Sequence, residues 1–436
     1  MTAILHPEAL AMNAHLHPFT DPRTAEATPP REIVSGDGIR VTDSEGNVFI
    51  DAVAGLWCAS LGFAPERLAR AATAQMEKLA YYHSFKGRTT DVTARLSEVL
   101  SARLPGALEH LAYGTGGSDA VELAVKLARY AQAARGHEGR VRIIARTGAY
   151  HGSGSMSAAL TGLQYVHDGW HLPQPDVIRV GRPHWVDEAR PGESERAFAD
   201  RLVAELEETI LAEGPETIAA MIGEPVQGAG GVLIPPEGYW AGVQEVLKRH
   251  GILLIADEVI TGFGRTGRWF GCETYGIEPD FMTLAKQLTG AVFPLSAVAM
   301  TGAVREDIAD RAHGFGLLGH GLTYGGHPVG AAVALETLAI YEEMGLEARV
   351  AELGERLAAG LAPLRQHPHV REVRHVGFVA AVQFDTPETG AEVAARAEAR
   401  GVFFRHIGTT LAVCPPYVAT PEDVDEICAV MVAAAG

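Results

Sequence analysis

The chain has 436 residues, of which 47% are hydrophobic and 21% charged. This composition is that of an ordinary globular protein and excludes disordered, collagen-like and disulfide-scaffold classes. Its 36 basic and 54 acidic residues give a net charge of -18, which repels phosphate backbones and argues against nucleic acid as a partner. At roughly 150 residues per domain, the length predicts two or three domains.

The predicted elements change character along the chain. Residues 1–32 are rich in Pro, His and Thr without periodicity, and they predict an extended N-terminal arm. Short strands are predicted over residues 33–54. From about residue 65, helical stretches alternate with short apolar runs, which is typical of an α/β sheet. The predicted helices cover residues 66–78, 90–102, 122–134 and 328–343, and the predicted buried, largely parallel strands cover 141–145, 218–222, 251–256 and 281–285. Mixed strands near 376–384 and 411–413 indicate a second, smaller domain.

The sequence lacks features of membrane, secreted or metal proteins. It has no apolar run of the roughly 18 residues that span a bilayer, and it has no Lys or Arg before Arg23, where a secretory signal would carry positive charge. No paired-cysteine or H-E-x-x-H spacing indicates a metal site. The four cysteines lie far apart in the sequence, so we expect them to be reduced and mostly buried thiols: Cys58, Cys272, Cys414 and Cys428. We therefore expect a cytoplasmic protein that neither crosses a membrane nor binds a metal.

A glycine-rich loop precedes the helix predicted near residue 122. The segment 114–119 reads GTGGSD. Free amides and the positive end of a helix dipole make such a loop an anion cradle. The alternative is an ordinary helix start capped by Ser118 or Asp119. The loop by itself leaves both interpretations open.

A second glycine pattern, GFGRTG at residues 262–267, matches the dinucleotide-binding fingerprint G-x-G-x-x-G. Asp257 and Glu258, however, separate these glycines from the preceding apolar run. The segment that follows also lacks the amphipathic helix that the fingerprint requires. We therefore reject a nicotinamide site.

Two ionisable residues end neighbouring apolar runs. Asp257 follows GILLIA and Lys286 follows DFMTLA. In α/β folds, ligands bind at the carboxyl ends of the strands. The two residues could form a simple ion pair, but a buried lysine also tends to be neutral, as Schiff-base formation requires. Together with the anion cradle, they supply fixed points for the phosphate, ring nitrogen and aldehyde of pyridoxal 5'-phosphate.

The chain resembles class III, fold-type I aminotransferases, and most of all the (S)-selective ω-transaminases of the amine:pyruvate type. The resemblance extends from about residue 15 to 427. It is carried by residues 17–21 (HPFTD), 43–63, 150–152 (YHG), 224–231 (EPVQGAGG), 257–267 (DEVITGFGRTG), 285–289 (AKQLT), 320–330 (HGLTYGGHPVG) and Arg405 followed by 414–416 (CPP). It implies a mostly parallel seven-stranded sheet flanked by helices, plus a smaller α+β domain. The implied division is an arm at 1–32, small-domain parts at 33–64 and 326–436, and a large cofactor-binding domain at 65–325.

The resemblance also implies the residue roles. Lys286 would bind the cofactor covalently and move a proton, Asp257 would keep the pyridine nitrogen protonated, and Tyr150 would stack on the ring. The residues implied to bind the cofactor are Gly116, Gly117, Ser118, Tyr150, Glu224, Gln227, Asp257, Val259, Lys286 and Thr323. Thr323 would come from the second subunit of a homodimer with shared active sites.

The implied substrate pocket is aromatic. Its wall would be formed by Phe19, Trp57 and Tyr150, together with Phe85 from the partner subunit. Arg405 would pair with the carboxylate of a keto acid and would swing away when an uncharged amine binds. Three residues depart from the family pattern. Gly116 replaces a serine, Gln287 replaces a glycine, and Lys86 brings charge to a segment that is often uncharged.

These features predict a transaminase that moves an amino group from an amine or ω-amino acid to a keto acid such as pyruvate in two half-reactions. One alternative is a narrower class III aminotransferase for a diamine, β-alanine, taurine or a biosynthetic keto intermediate. Another is an aminomutase or decarboxylase on the same scaffold. A nicotinamide oxidoreductase and a non-catalytic interaction protein are further hypotheses, both of which predict a colourless protein.

Overall fold

A computed structural model describes residues 15–27 and 30–436. Of the predicted arm, residues 1–14 and 28–29 therefore lie outside the described residues. The extended conformation predicted for the arm is wrong at Pro22–Ala27, which form a short helix, α1. Asp21 starts this helix, because its carboxylate accepts hydrogen bonds from the Arg23 amide (2.9 Å) and the Thr24 hydroxyl (3.0 Å).

The first strands form a small antiparallel sheet. They are β1 (Ile33–Asp37), β2 (Arg40–Asp43) and β3 (Val48–Asp51). A turn joins the last two, and the Asp43 carboxylate holds it by accepting hydrogen bonds from the Glu45 and Asn47 amides.

A seven-stranded sheet forms the centre of the molecule. Its strands are β4 (Leu108–Gly114), β5 (Arg142–Arg146), β6 (Val177–Val180), β7 (Ile218–Gly223), β8 (Leu253–Asp257), β9 (Phe281–Leu284) and β10 (Ser296–Thr301). They lie in the order β4-β10-β9-β8-β7-β5-β6. β10 runs antiparallel to both neighbours, and all other pairs are parallel. The predicted mostly parallel seven-stranded sheet is confirmed.

Helices cover the sheet and connect it to the remaining strands. They are α2 (Glu66–Leu79), α3 (Asp91–Ser101), α4 (Gly117–Ala134), α5 (Ser155–Leu160), α6 (Gln164–His167), α7 (Trp185–Glu188), α8 (Glu195–Glu213), α9 (Tyr239–His250), α10 (Gly271–Tyr275), α11 (Gly302–Phe315), α12 (Pro328–Glu343), α13 (Leu346–Leu361), α14 (Pro387–Glu398) and α15 (Pro421–Ala435). Short helical turns occur at Ala54–Trp57, Pro215–Thr217, Lys286–Thr289 and Ala362–Gln366. Within residues 15–27 and 30–436, no helix combines the length and hydropathy needed to cross a bilayer.

The C-terminal strands are β11 (Val370–Val376), β12 (Val379–Phe384), β13 (Val402–Phe403), β14 (Arg405–Ile407) and β15 (Thr410–Val413). Four of them form an antiparallel sheet in the order β11-β12-β15-β14. β13 instead pairs in parallel with β3 near the N-terminus. This pairing supports a small domain built from both ends of the chain, although the boundaries at residues 33–64, 65–325 and 326–436 stay a prediction.

A buried histidine connects the C-terminal sheet to the segment before α8. The ring nitrogens of His184 lie 3.0 Å from the Asp187 carboxylate and 3.1 Å from that of Glu372 on β11. Burial disfavours the charged ring, but the two carboxylates outweigh burial and raise the pKa of His184. Arg374 and Gln383 complete the cluster through the same acidic groups. The contact between these two parts of the fold is therefore charged and buried.

Candidate active site

The site lies at the carboxyl edge of the central sheet. Parallel strands all end at the same edge, so the residues that follow them are brought together. The segment after β4 supplies residues 115–118, that after β5 supplies 150–152, and Glu224 follows β7. Asp257 ends β8, and Lys286 stands two residues after β9. Asp257 pairs in register with Thr283, which places these two strand ends side by side.

These segments enclose a cavity of about 350 Å³. Most of the residues predicted to hold a cofactor line it: Gly116, Gly117, Ser118, Tyr150, Glu224, Asp257, Val259 and Lys286. The wall is completed by Cys58, Thr115, His151, Gly152, Ile260, Ala285, Thr289, Ala291, Phe293, Pro294 and Leu295. The predicted proximity of Asp257 and Lys286 is confirmed.

The glycine loop forms the N-terminal end of α4. Gly116 is the N-cap residue, so the alternative cap at Ser118 or Asp119 is wrong, and the helix starts earlier than the predicted residue 122. Ala120 donates the first backbone hydrogen bond, to Gly116 (3.1 Å), which leaves the earlier amides of the turn for an anion. A Cβ at Gly117 would lie 3.0 Å from a Val259 methyl carbon, so a side chain here would press against Val259.

Asp257 is held in a fixed orientation. Its Oδ1 accepts hydrogen bonds from the Thr283 hydroxyl (3.0 Å) and the Val259 amide (3.1 Å). Its Oδ2 lies 2.7 Å from His151 Nδ1, and only 3% of the residue is exposed. A buried carboxylate fixed in this way favours a cation next to it, such as a protonated ring nitrogen.

His151 is a site residue that the sequence analysis missed. Because a carboxylate can only accept, the His151 Nδ1 proton is donated to Asp257. The other ring nitrogen, Nε2, is buried and has no partner among the described residues. The signal was available, since His151 lies within the YHG stretch at 150–152, but nothing in the sequence alone pairs it with residue 257.

Lys286 supplies an amine without a fixed partner. Its Nζ forms no side-chain hydrogen bond or ion pair with another described residue. Burial lowers the pKa of this amine, and the nearby Cys58, Asp257 and Glu224 oppose the shift. A lowered pKa increases the fraction of neutral amine, the form that attacks a carbonyl carbon.

Glu224 and Tyr150 are joined at the cavity wall. The Glu224 carboxylate accepts hydrogen bonds from the Tyr150 amide (3.1 Å) and the Gly228 amide (2.9 Å). Burial raises the pKa of Glu224. The Tyr150 phenol forms a hydrogen bond with the Ser153 hydroxyl (3.1 Å). The backbone amide of Ser153 in turn donates to the Ser118 hydroxyl (3.0 Å). Glu224 thus orients the Tyr150 backbone, and Ser153 connects its ring to the glycine cradle.

Two predicted residues lie just behind the cavity wall. Gln227 donates to the Thr147 carbonyl (3.0 Å), and its buried side-chain oxygen has no described partner. Trp57 is 4% exposed and packs in an apolar cluster with Val226 and Ile260, while the adjacent Cys58 lines the cavity.

Four predicted residues lie away from the cavity. Phe85 lines a second cavity of about 1030 Å³, and Thr323 accepts a hydrogen bond from Tyr81 through its backbone carbonyl. Phe19 is 64% exposed and contacts the ring of Tyr165, and Arg405 is exposed at the start of β14. Burial raises the pKa of Tyr165, and the charge of Arg405 opposes this rise. Tyr165 also interacts electrostatically with Tyr150, a residue of the cavity wall.

Comparisons with known proteins agree with this geometry. The family model described as aminotransferase class-III matches residues 23–435. The chain is 44% identical to an uncharacterised aminotransferase of Sinorhizobium fredii, over 96% of this chain and 93% of the relative. It is 41% identical to the mitochondrial gamma aminobutyrate transaminase 1 of Solanum lycopersicum, over 94% of this chain and 82% of the relative. A solved ω-transaminase from Pseudomonas jessenii in complex with PMP superposes with a TM-score of 0.97, at 41% identity and with 99% and 97% of the two chains covered.

Fold and site together define a fold-type I enzyme that depends on pyridoxal 5'-phosphate. The chain belongs to the class III aminotransferase family, as the resemblance of its motifs predicted. The cavity fits the cofactor of this family. The N-terminal end of α4 suits its phosphate, the Asp257 carboxylate suits its ring nitrogen, and the Lys286 amine suits its aldehyde carbon.

Proposed function

We propose that this transaminase has a broad donor range, taking the amino group from primary amines or ω-amino acids and passing it to a keto acid such as pyruvate. The observation that carries the proposal is how few basic side chains line the cavity. Among its described lining residues the only basic side chains are His151, which is bound to Asp257, and Lys286. The cavity therefore holds no free fixed cation that would demand a carboxylate on every substrate.

The chain's own residues divide the work within this proposal. The cofactor supplies an electron sink for the pair left behind when a proton leaves the carbon that carries nitrogen. Lys286 would bind the cofactor covalently and would then move that proton as a base and an acid. Asp257, oriented by His151, would keep the pyridine nitrogen protonated, while Tyr150, Val259 and Gln227 would border the ring.

Arg405 provides acceptor recognition. It is exposed, and it forms no ion pair with any residue of the described part of the chain. An arginine without a fixed partner can pair bidentately with a keto-acid carboxylate and leave when an uncharged amine enters. Phe19 and Trp57 complete an apolar wall for the donor side group in this proposal.

A homodimer with shared active sites is part of the same proposal. Thr323 and Phe85 lie outside the cavity of their own chain, next to an exposed apolar surface formed by Phe315, Leu317, Leu318 and Tyr324. An exposed apolar surface of this kind is typical of an interface. We infer that a second copy covers it, and that Thr323 and Phe85 then serve the partner's cavity.

A narrower donor range is the second candidate. The 41% identity to a gamma aminobutyrate transaminase favours an ω-amino acid as donor. The basic segment Lys86–Arg88 beside Phe85 would suit an acidic or polar donor group. An aminomutase or decarboxylase on the same scaffold would use the same Lys286 and Asp257.

A donor panel tests the proposal. The holoenzyme is incubated with pyruvate and with each enantiomer of 1-phenylethylamine, β-alanine, γ-aminobutyrate or a diamine, and alanine formation is measured. We expect the (S)-amine and at least one ω-amino acid to react. Reaction of ω-amino acids alone would establish the narrower function. Release of carbon dioxide, or an isomerised amine without alanine, would establish the non-transaminase alternatives.

A cytoplasmic location also belongs to the proposal. All four cysteines, Cys58, Cys272, Cys414 and Cys428, are free thiols, and three of them are buried. Free thiols are the state expected in a reducing compartment, which supports this location.

A further inference from the structure

Lys286 stands on a strained turn. Its φ is 46°, in the left-handed region that side chains other than glycine rarely adopt. A conformation of this kind persists only where surrounding contacts hold it. The contacts of the turn Lys286–Thr289 therefore determine where the amine points.

Gln287 is the residue through which the turn is held. It is fully buried, and its side-chain amide donates to the Ile260 carbonyl (2.9 Å). Its backbone carbonyl accepts two hydrogen bonds, from the Gly290 amide (3.2 Å) and from the Tyr341 hydroxyl (2.8 Å). Three hydrogen bonds thus fix the residue next to the reactive lysine, and the one from Tyr341 is donated by a separate helix.

Tyr341 reaches this turn from α12. Its only hydroxyl proton goes to Gln287, so the hydrogen bond between Tyr341 and Ser60 is donated by Ser60. All three residues are 0% exposed. The Tyr341 ring packs against the rings of Trp269 and Tyr417, with centroids 6.3 Å and 5.9 Å away. A buried phenol in such surroundings is retained only where its hydroxyl is satisfied.

We propose that Tyr341 is a positioning residue for Lys286, acting through the Gln287 carbonyl. It does not line the cavity, so it acts through the backbone of the turn and not on substrate. Ser60 lies three residues after Trp57, so the same hydrogen bonds attach the lysine turn to the predicted substrate wall. This inference rests on the proposed role of Lys286.

The test compares two tyrosine-to-phenylalanine variants of the holoenzyme. Tyr341→Phe removes the bond to the lysine turn. Tyr417→Phe is the matched control, because its equally buried hydroxyl donates to the Phe263 carbonyl (2.7 Å) and not to a residue of that turn. We expect Tyr341→Phe to slow the amine half-reaction about tenfold with KM changed less than about twofold, since a misplaced proton carrier mainly affects the reacting state. Tyr417→Phe should change the rate less than about twofold while losing a similar amount of thermal stability.

The second readout is the pH midpoint of the holoenzyme's visible absorption. A looser turn lets water reach the Lys286 nitrogen, which favours the protonated form of that nitrogen, so we expect the midpoint to rise in Tyr341→Phe and to stay unchanged in Tyr417→Phe. Equal rates and equal midpoints in the two variants would overturn the proposal.

A second variant keeps the inference testable if Tyr341→Phe does not fold. Ser60→Ala removes the hydrogen bond that holds the Tyr341 hydroxyl in place beside the Gln287 carbonyl, and the proposal expects a slowed half-reaction and a raised midpoint. A folded Ser60→Ala enzyme that behaves as wild type would overturn it. Borohydride reduction and peptide mapping of the wild type test Lys286 separately. A label elsewhere would refute the role of the lysine, whereas a label on Lys286 with unaffected variants would refute only that of Tyr341.

Discussion

Asp257→Asn isolates the charge of the carboxylate from its shape. The amide oxygen of an asparagine can still accept the hydrogen bonds from Thr283 and the Val259 amide, so the local fold should persist. The amide nitrogen would then face His151 Nδ1, donor against donor. His151 would have to move its proton to Nε2, which has no described partner. The substitution thus removes a negative charge and disturbs the group behind it.

The magnitude follows from the lost charge. An opposite charge at about 4–6 Å changes a pKa by roughly 1–3, and each unit corresponds to about 1.36 kcal/mol. Losing Asp257 should therefore remove about 1.4–4 kcal/mol of stabilisation from the protonated ring nitrogen. If the transition state of proton abstraction depends fully on that proton, the amine half-reaction slows by about 10- to 1000-fold. Covalent attachment at Lys286 should survive, because Asp257 raises the pKa of this amine and its removal leaves more of the amine neutral.

The assay is stopped-flow absorbance of the amine half-reaction, together with borohydride mapping of residue 286. Thr283→Val is the matched control, because it removes one hydrogen bond to the same carboxylate and keeps the charge. We expect it to cost less than about tenfold. An Asp257→Asn enzyme within about threefold of the wild-type rate would refute the electrostatic argument, as would loss of the label at residue 286 in a folded protein.

Three other perturbations address the cradle, the buried cluster and the acceptor site. Gly117→Ala should weaken cofactor binding by about tenfold or more. Gly116→Ser should instead strengthen cofactor binding by up to about tenfold, because a Cβ at residue 116 meets nothing within 4 Å and the serine adds a hydroxyl donor. Both effects are measured by titrating the apoenzyme with cofactor. The pKa of His184 is raised above 6.5, so its stabilising charge is fully present below pH 6.5 and is lost as the pH rises through the higher folded value. The difference in Tm between wild type and His184→Gln should accordingly be largest below pH 6.5 and should narrow as the pH rises through the folded pKa, and a constant difference would contradict this assignment. Arg405→Met should slow the pyruvate half-reaction by roughly 10- to 100-fold and leave the 1-phenylethylamine half-reaction within about threefold, as measured in separate single-turnover experiments.

The central strands could be predicted because burial on both faces leaves a continuous apolar run. β7, β8 and β9 begin and end within two residues of the predicted runs at 218–222, 251–256 and 281–285. β6 and β10 could not be predicted in this way. The first is only four residues long and contains Arg179, and the second consists mainly of small residues. The antiparallel direction of β10 depends on its pairing with β4 and β9, which no local sequence pattern encodes.

The same limit applies to the site. Residues at strand ends were predictable because a parallel sheet brings its carboxyl ends together whatever the loops do. The bond between His151 and Asp257 joins residues 106 positions apart, and the bond from Tyr341 to Gln287 spans 54. Such pairs depend on three-dimensional packing and carry no periodic signal. The positions of Thr323 and Phe85 relative to a partner's cavity depend on a second chain, so they stay a prediction.

The architecture divides the site into a rigid half and a movable half. The phosphate cradle, Asp257 and Lys286 are built on a long helix and on buried strand ends, where backbone hydrogen bonds leave little freedom. Two of the predicted donor and acceptor side chains, Phe19 and Arg405, are instead exposed. Exposed side chains change conformation at less cost than buried strand ends, because fewer buried contacts hold them. Substitutions in the rigid half should therefore change the rate for all substrates together, whereas substitutions in the movable half should change which amine or keto acid is accepted.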